Sequence, residues 1–197
     1  MADNKLQLID NYIYFGHLDK WAVLPQYPDS VSDSMQSKFS ETNALSRTAP
    51  VYSYVQSGPR TVNLTISIHR DMMESVNVNI SNLRDNVLDL DSDYTDTLIN
   101  YLQACALPRY NIYSSGAKAV EPPWVALRLG NAIFIKGVIT SNISVEWKKP
   151  ILSDGKYAQC SLQLTISETD PYDADTVAEV GGFRGLTKTF KNGIYKE

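Results

Sequence analysis

The sequence predicts a mainly β protein with one helix, folded as an antiparallel β-barrel or sandwich. Two observations lead to this fold class. Several segments alternate polar and apolar residues with a period of two, and one segment, residues 93–106, repeats apolar residues at helical spacing. Short turn signals separate the alternating segments, which is typical of antiparallel strands in sandwiches and barrels. About six or seven strands are expected, with the helix placed between two strand groups and covering the core.

The most regular strand candidate is TVNLTISIH, residues 61–69. Its alternation predicts one face on a core and the other in water or against a polar partner. The apolar face consists of Val62, Leu64, Ile66 and Ile68. The polar face consists of Asn63, Thr65, Ser67 and His69.

Two shorter strand candidates precede this one. Residues 32–39 alternate with a period of two, and residues 51–55 form a tyrosine-rich strand. The turn signal SGPR, residues 57–60, then predicts two strands hinged at a bend that Gly58 and Pro59 set.

The predicted helix over residues 93–106 carries apolar residues along one side. These are Leu98, Tyr101, Leu102 and Cys105. Asp91 or Ser92 can cap its first turn, and Pro108 ends it because the residue before a proline avoids helical geometry.

The second half of the chain again predicts strands. PPWVALRLG and AIFIKGVIT form a hairpin around Gly130, SNISVEWKK is a further alternating strand, and residues 158–167 follow the turn at residues 153–155. The predicted organisation is an N-terminal arm over residues 1–20, a β domain over residues 21–168, and a C-terminal extension over residues 169–197.

Composition and charge narrow the function classes. The net charge is −4 and the pI about 5.2, which argues against a general grip on nucleic acid. The 12 tyrosines against 5 phenylalanines suit wet protein–protein contacts, although strands favour tyrosine in any case. No apolar run is long enough for a membrane anchor, and the N-terminus does not resemble a secretory signal, so we expect folding in a cytoplasm. Cys105 and Cys160 are expected to be small buried hydrophobic residues.

The sequence contains no recognisable constellation for catalysis. His17 and His69 belong to no metal-binding pattern, and the glycine-rich residues 181–185 follow no predicted strand. Asp89, Asp91 and Asp93 resemble the start of a calcium loop, but the glycine and glutamate that such a loop needs are missing. We read the acidic residues Glu168, Asp170, Asp173 and Asp175 as a solvated tail. We therefore predict no catalytic, cofactor-binding or metal-binding residues, and no enzyme.

The order of motifs in the second half is more specific. PPWVALRLG is followed by FIKGVI and then by SVEWKKPILSDGKYAQCSLQLTISE. This pattern resembles the tail-tube-like domain of baseplate proteins from contractile phage tails and related contractile injection systems. YPDSVSDSMQSKFSE, LSRTAP and SGPRTVNLTISIH resemble the first half of such domains, so the resemblance covers about residues 21–168. The predicted helix falls where that fold places its helix between two sheets of a small barrel.

The resemblance implies a structural protein of the virion. In this family, barrels assemble as rings around a central channel, and a ring starts the tail tube on the baseplate or joins the hub to the first tube layer. We therefore expect a homo-oligomeric ring, a hexamer, that contacts other baseplate hub and tail-tube proteins, with DNA only as passing cargo. It would be assembled in the bacterial host cytoplasm. The polar face of residues 61–69 would meet the channel or a neighbouring subunit.

Three other functions stay open. The chain could be the repeating subunit of the tail tube itself. It could be a cell-wall hydrolase, because the two carboxylates of such enzymes can be distant in sequence. It could also be a binding module for sugars or a receptor, if Trp21, Trp124 and Trp147 form an exposed cluster. We expect these tryptophans to be packed in a core or an interface instead.

Overall fold

A computed structural model of the chain describes residues 11–24, 27–43, 45, 48–73, 93–110, 120–121, 123–130, 132–170 and 174–175. The helix α1 spans Tyr94–Ala104. The strands are β1 (Asn11–Phe15), β2 (Lys20–Val23), β3 (Ser30–Ser34), β4 (Ser37–Thr42), β5 (Val51–Ser57), β6 (Thr61–His69), β7 (Arg109–Tyr110), β8 (Val120–Glu121), β9 (Val125–Leu129), β10 (Ile133–Ile139), β11 (Ser144–Ile151) and β12 (Tyr157–Glu168).

Eight of these strands form one antiparallel sheet. Its order is β2-β1-β9-β10-β12-β6-β3, and β11 also pairs with β12. The predicted class, mainly antiparallel β with a helix, is confirmed. Within the described residues, β2 and β3 end the sheet without pairing with each other, so the sheet is open and a sandwich describes it better than a closed barrel. The strands exceed the predicted six or seven, because short pairs such as β7–β8 and β1–β2 carry little periodic signal.

The N-terminal boundary differs from the prediction. Asn11–Phe15 belongs to the sheet rather than to an arm, because β1 pairs with β2 on one side and with β9 on the other. Both faces of this strand are covered: Ile13 and Phe15 lie in the main core, while Tyr12 packs with Trp21. A strand covered on both faces does not alternate, so a period-two search misses it. Residues 1–10 and 176–197 lie outside the described residues.

The core forms between the sheet and α1. The predicted apolar stripe of β6 is fully buried, and Leu98, Ile99 and Leu102 of the helix pack in the same cluster. The helix prediction is confirmed, but its cap is Asp93 rather than Asp91 or Ser92: the Asp93 side chain accepts hydrogen bonds from the backbone of Thr95 and Asp96. In the described part of the chain, no helix is long and apolar enough to span a lipid bilayer.

The strands around residue 58 form one long bent hairpin. β3 pairs with β6, and β4 pairs with β5, so β5 and β6 continue each other instead of pairing together. The predicted strand over residues 32–39 is likewise divided, into β3 and β4. The predicted bend at residues 57–60 is therefore present, and it separates the two halves of this hairpin.

The two cysteines are free and buried, as predicted. Burial raises the pKa of the Cys105 thiol to about 12 and that of Cys160 to about 11, from 9.0. Because the thiolate is the reactive form, neither residue should react with Ellman's reagent at pH 8 in the folded protein. Both should react after denaturation, as followed by the absorbance of the released thiolate. Stoichiometric reaction before denaturation would contradict the buried positions.

Candidate assembly surface

The strands β4 and β5, here called the exposed hairpin, form a separate two-stranded sheet. Every residue in both strands is exposed. At about 3.3 Å per residue, the pair is about 20 Å long. A two-stranded hairpin is at best marginally stable alone in water, so an exposed one of this length is a candidate site for a partner.

One face of the exposed hairpin is aromatic. Phe39 lies opposite Tyr54 with their rings in an edge-to-face contact, 5.6 Å between centroids, and Tyr52 lies opposite Glu41. Phe39 is 52% exposed, Tyr52 is 62% exposed and Tyr54 is 60% exposed. Large aromatic side chains grouped on an exposed face are typical of protein–protein contacts.

The opposite face of the same hairpin is mostly polar. Lys38 lies opposite Gln56, and Ser40 lies opposite Ser53. The exposed hairpin therefore presents an aromatic face and a polar face, although neither packs on the core of its own chain. The sequence identified the alternation in β4 but not the exposure of both faces.

Arg60 lies where the two halves of the long bent hairpin meet, and its side chain binds the main sheet. Its guanidinium donates two hydrogen bonds to the Asp33 carboxylate, at 2.9 and 2.6 Å, and one to the carbonyl of Phe134 at 2.9 Å. The Glu168 carboxylate lies 3.9 Å away, and the Arg60 and Glu168 side chains are each only 1% exposed. Sequence reasoning missed this residue, because a turn signal says nothing about which distant strands the side chain meets.

The predicted polar stripe of β6 lies outside the core. Asn63 is exposed, while Thr65, Ser67 and His69 are partly exposed. The Thr165 hydroxyl of β12 donates to the Asn63 side-chain oxygen at 2.6 Å, and Ser67 donates to Asp29. The prediction that this face avoids the chain's own core is confirmed, while its contact with a channel or a neighbour stays a prediction.

A shallow groove of about 580 Å³ crosses this polar face. Its walls come from β3, β6, β12, the first residue of β11 and the connection before it. The lining side chains carry no charge: they are Ser30, Val31, Ser32, Asn63, Leu64, Thr65, Ser141, Asn142, Ser144, Gln163, Leu164 and Thr165. Nine of these twelve side chains carry a hydroxyl or amide group, so the groove is wettable, and none of the twelve adds a formal charge.

A second arginine ties the β11–β12 hairpin to the helix. Arg70 donates to the carbonyl of Tyr157 at 2.6 Å, pairs with Asp93 and Asp96 of the helix start, and lies 5.5 Å from the Trp147 ring. Lys156 adds a second cation 3.0 Å from Asp93. The ion pairs with Arg70 and Lys156 give Asp93 a structural role, whereas the sequence analysis considered it as part of an incomplete calcium loop. Asp89 and Asp91 lie outside the described residues.

The tryptophans do not form one exposed cluster. Trp21 is 3% exposed beside Tyr12, whereas Trp147 is 40% exposed beside Tyr157. Trp124 packs so closely on Gly16 that a Cβ added to this glycine would lie 1.9 Å from the indole ring. The feature that would have favoured a sugar-binding or receptor-binding module is therefore missing, and packing is the observed role of Trp21.

The other predicted residues do not converge on a site. His17 is buried and His69 is partly exposed on its strand. The reading of Glu168 as part of a solvated tail is wrong, because this residue ends β12 and its side chain is buried beside Arg60. Asp170 lies 4.0 Å from Lys136, and Asp173 lies outside the described residues. Among the residues that the structure describes, no group of three or more potential metal ligands occurs. A comparison with protein-family models gives no match, and neither does a comparison with curated proteins.

Proposed function

We propose that this chain is a structural protein of a contractile phage tail or related injection system, forming a ring at the junction of baseplate hub and tail tube. The observation that carries this proposal is the exposed hairpin, whose aromatic face has no core to cover. A subunit that assembles side by side with copies of itself can bury such a face in every contact of the ring. The sequence resemblance supplies the particular assembly.

The polar face of the main sheet supports the same proposal. A ring around a passage for DNA needs a wall that stays wet and does not hold a polyanion. The uncharged groove residues meet both needs, because non-specific DNA binding depends mainly on lysine and arginine. In this proposal the groove face lies toward the channel and the exposed hairpin reaches the next subunit.

The proposal is tested by locating the protein in particles. Contractile particles produced by the strain that encodes the chain are imaged by electron cryo-microscopy. A sixfold ring of this chain at the tube–baseplate junction would support the proposal. A copy number that matches one ring separates this role from that of the repeating tube subunit, which would be present in many more copies. Absence of the chain from particles would overturn the proposal.

The interface role of the exposed hairpin can be tested on the purified chain. Replacing Tyr52 and Tyr54 with serine should weaken self-association by at least about tenfold, since aromatic anchors at interfaces each contribute more than about 1 kcal/mol. Analytical ultracentrifugation over a concentration series measures this change. The matched control, Lys38→Ala with Gln56→Ala, alters a cross-strand pair on the opposite face and should have a smaller effect.

Thermal unfolding separates association from folding in this experiment. Both double variants should keep the parent's melting temperature at low protein concentration, because all four side chains are exposed and lie outside the main core. The tyrosine variant also loses the ring contact with Phe39, so its hairpin strands are checked by amide hydrogen exchange. Equal self-association of the two variants and the parent would exclude the aromatic face as the interface.

The hydrolase alternative has its own test. Several described carboxylates have arginine partners: Asp33 and Glu168 face Arg60, while Asp93 and Asp96 face Arg70. Zymography on peptidoglycan would show a cleared band if the chain cuts cell wall. Loss of that band on replacing one carboxylate would establish the enzyme and displace the structural proposal.

A further inference from the structure

The bend between the two halves of the long hairpin, here called the elbow, consists of residues 35–36 and 58–60. Regular pairing stops at Ser34 and Thr61 on the side of the main sheet and resumes at Ser37 and Ser57 in the exposed hairpin. A backbone hydrogen bond from Gly58 N to Gln36 O, at 2.7 Å, crosses the elbow. Pro59 has no backbone N–H to add another. The ladder of backbone hydrogen bonds is thus interrupted on both strands at the same level.

An interrupted ladder allows bending unless side chains hold it. Gly58 contributes the backbone hydrogen bond to Gln36, but its conformation does not need a glycine, because the positive-φ glycines of the described chain are Gly130 and Gly155. Arg60 follows Pro59, and its side chain is 1% exposed. The partners of Arg60 therefore show how this side of the elbow is attached.

The partners of Arg60 come from three different strands. Asp33 lies on β3, Phe134 contributes its carbonyl from β10, and Glu168 ends β12. The backbone is included as well, since Glu168 N donates to Arg60 O at 2.9 Å. A planar guanidinium with a two-pronged contact to Asp33 has little rotational freedom, so the attachment constrains direction as well as distance.

We infer that Arg60 is a positioning residue: it clamps the β6 side of the elbow to the main sheet, so that the backbone at residue 60 cannot bend and the exposed hairpin, with its aromatic face, is held within a narrow range of angles. A partner then binds without ordering the hairpin first, which is the entropic advantage of preorganisation. Arg60 would therefore affect binding through the hairpin's orientation although it lies in the core and cannot contact the partner. The same contacts link the β6 side of the elbow to Glu168 at the end of β12.

The test measures the elbow angle directly on the isolated chain. Spin labels are placed at Ser53→Cys on the exposed hairpin and Gln163→Cys on β12, both exposed positions, while Cys105 and Cys160 are buried. Double electron–electron resonance spectroscopy gives the distribution of distances between the two labels. The parent should give one narrow distribution. Arg60→Met should broaden this distance distribution roughly twofold or more, because thermal motion then bends the elbow over a wider range of angles.

Two further variants keep the test decisive. Arg70→Met removes the other arginine cluster, which holds the β11–β12 hairpin, and should leave the distribution as narrow as in the parent. If Arg60→Met does not fold, Asp33→Asn removes the acid on β3 and should broaden the distribution by itself. An unchanged distribution in a folded Arg60 or Asp33 variant would overturn the inference. The measurement needs no assembly, so its outcome is independent of the proposed ring.

Discussion

Replacing Arg60 with methionine is expected to lower the free energy of unfolding by about 3–5 kcal/mol, because it leaves the buried Glu168 carboxylate without its cation and removes the two hydrogen bonds to Asp33. The Glu168 side chain is 1% exposed and the Asp33 side chain 35% exposed, so Glu168 cannot recover the lost interaction from water. The carbonyl of Phe134 also loses its donor. Methionine fills much of the same volume, so the loss reports on charge and hydrogen bonds rather than on a cavity.

Urea unfolding followed by circular dichroism measures this effect. Arg70→Met is the matched control, since it also removes one arginine from two acids. Its expected cost is smaller, about 1–2 kcal/mol, because Lys156 remains 3.0 Å from Asp93 and the cluster is partly exposed. Equal losses in the two variants would contradict the special position of Arg60 in the core.

Replacing Gly137 with alanine should destabilise the protein by about 3 kcal/mol or more. The added methyl group would collide with backbone atoms, which cannot rotate aside as a side chain can. An added Cβ would lie 2.0 Å from the carbonyl oxygen of Ser167 and 2.7 Å from its carbonyl carbon. Gly137 pairs with Glu168 on β12 and with Val125 on β9, so separating the strands would disturb the middle of the sheet. This close approach gives a physical reason for the glycine in FIKGVI.

Gly58→Ala is the control for this substitution. Its added Cβ would meet Gln36 at 3.5 Å, an ordinary contact, so stability should change by less than about 1 kcal/mol. Melting temperature and urea midpoint measure both variants. If Gly137→Ala unfolds at the same midpoint as the parent, the described packing of β10 on β12 is incorrect.

The predictions from sequence were most accurate where one face of an element is buried. The stripe of β6 and the apolar side of α1 are both in the core at the predicted positions. Alternation and helical spacing are local properties, so a single sequence reveals them. The strand β1 escaped prediction because both of its faces are covered and its residues therefore do not alternate.

The candidate surface was only partly visible in the sequence. The polar stripe was predicted, and it lies outside the core. The exposed hairpin was not, because a period of two shows which residues share a face but not whether that face has anything to pack against. Phe39 and Tyr54 are both more than half exposed, which the alternation of their strands does not reveal.

By itself, the sequence determined the class of fold, the core stripe of β6, the helix and the place of the bend at residues 57–60. Tertiary structure alone decided how that bend is held. Gly58 and Pro59 mark the interruption, but Arg60 reaches a carbonyl 74 residues further along the chain. Local periodicity carries no information about such a contact, because strands brought together in a sheet can be far apart in sequence.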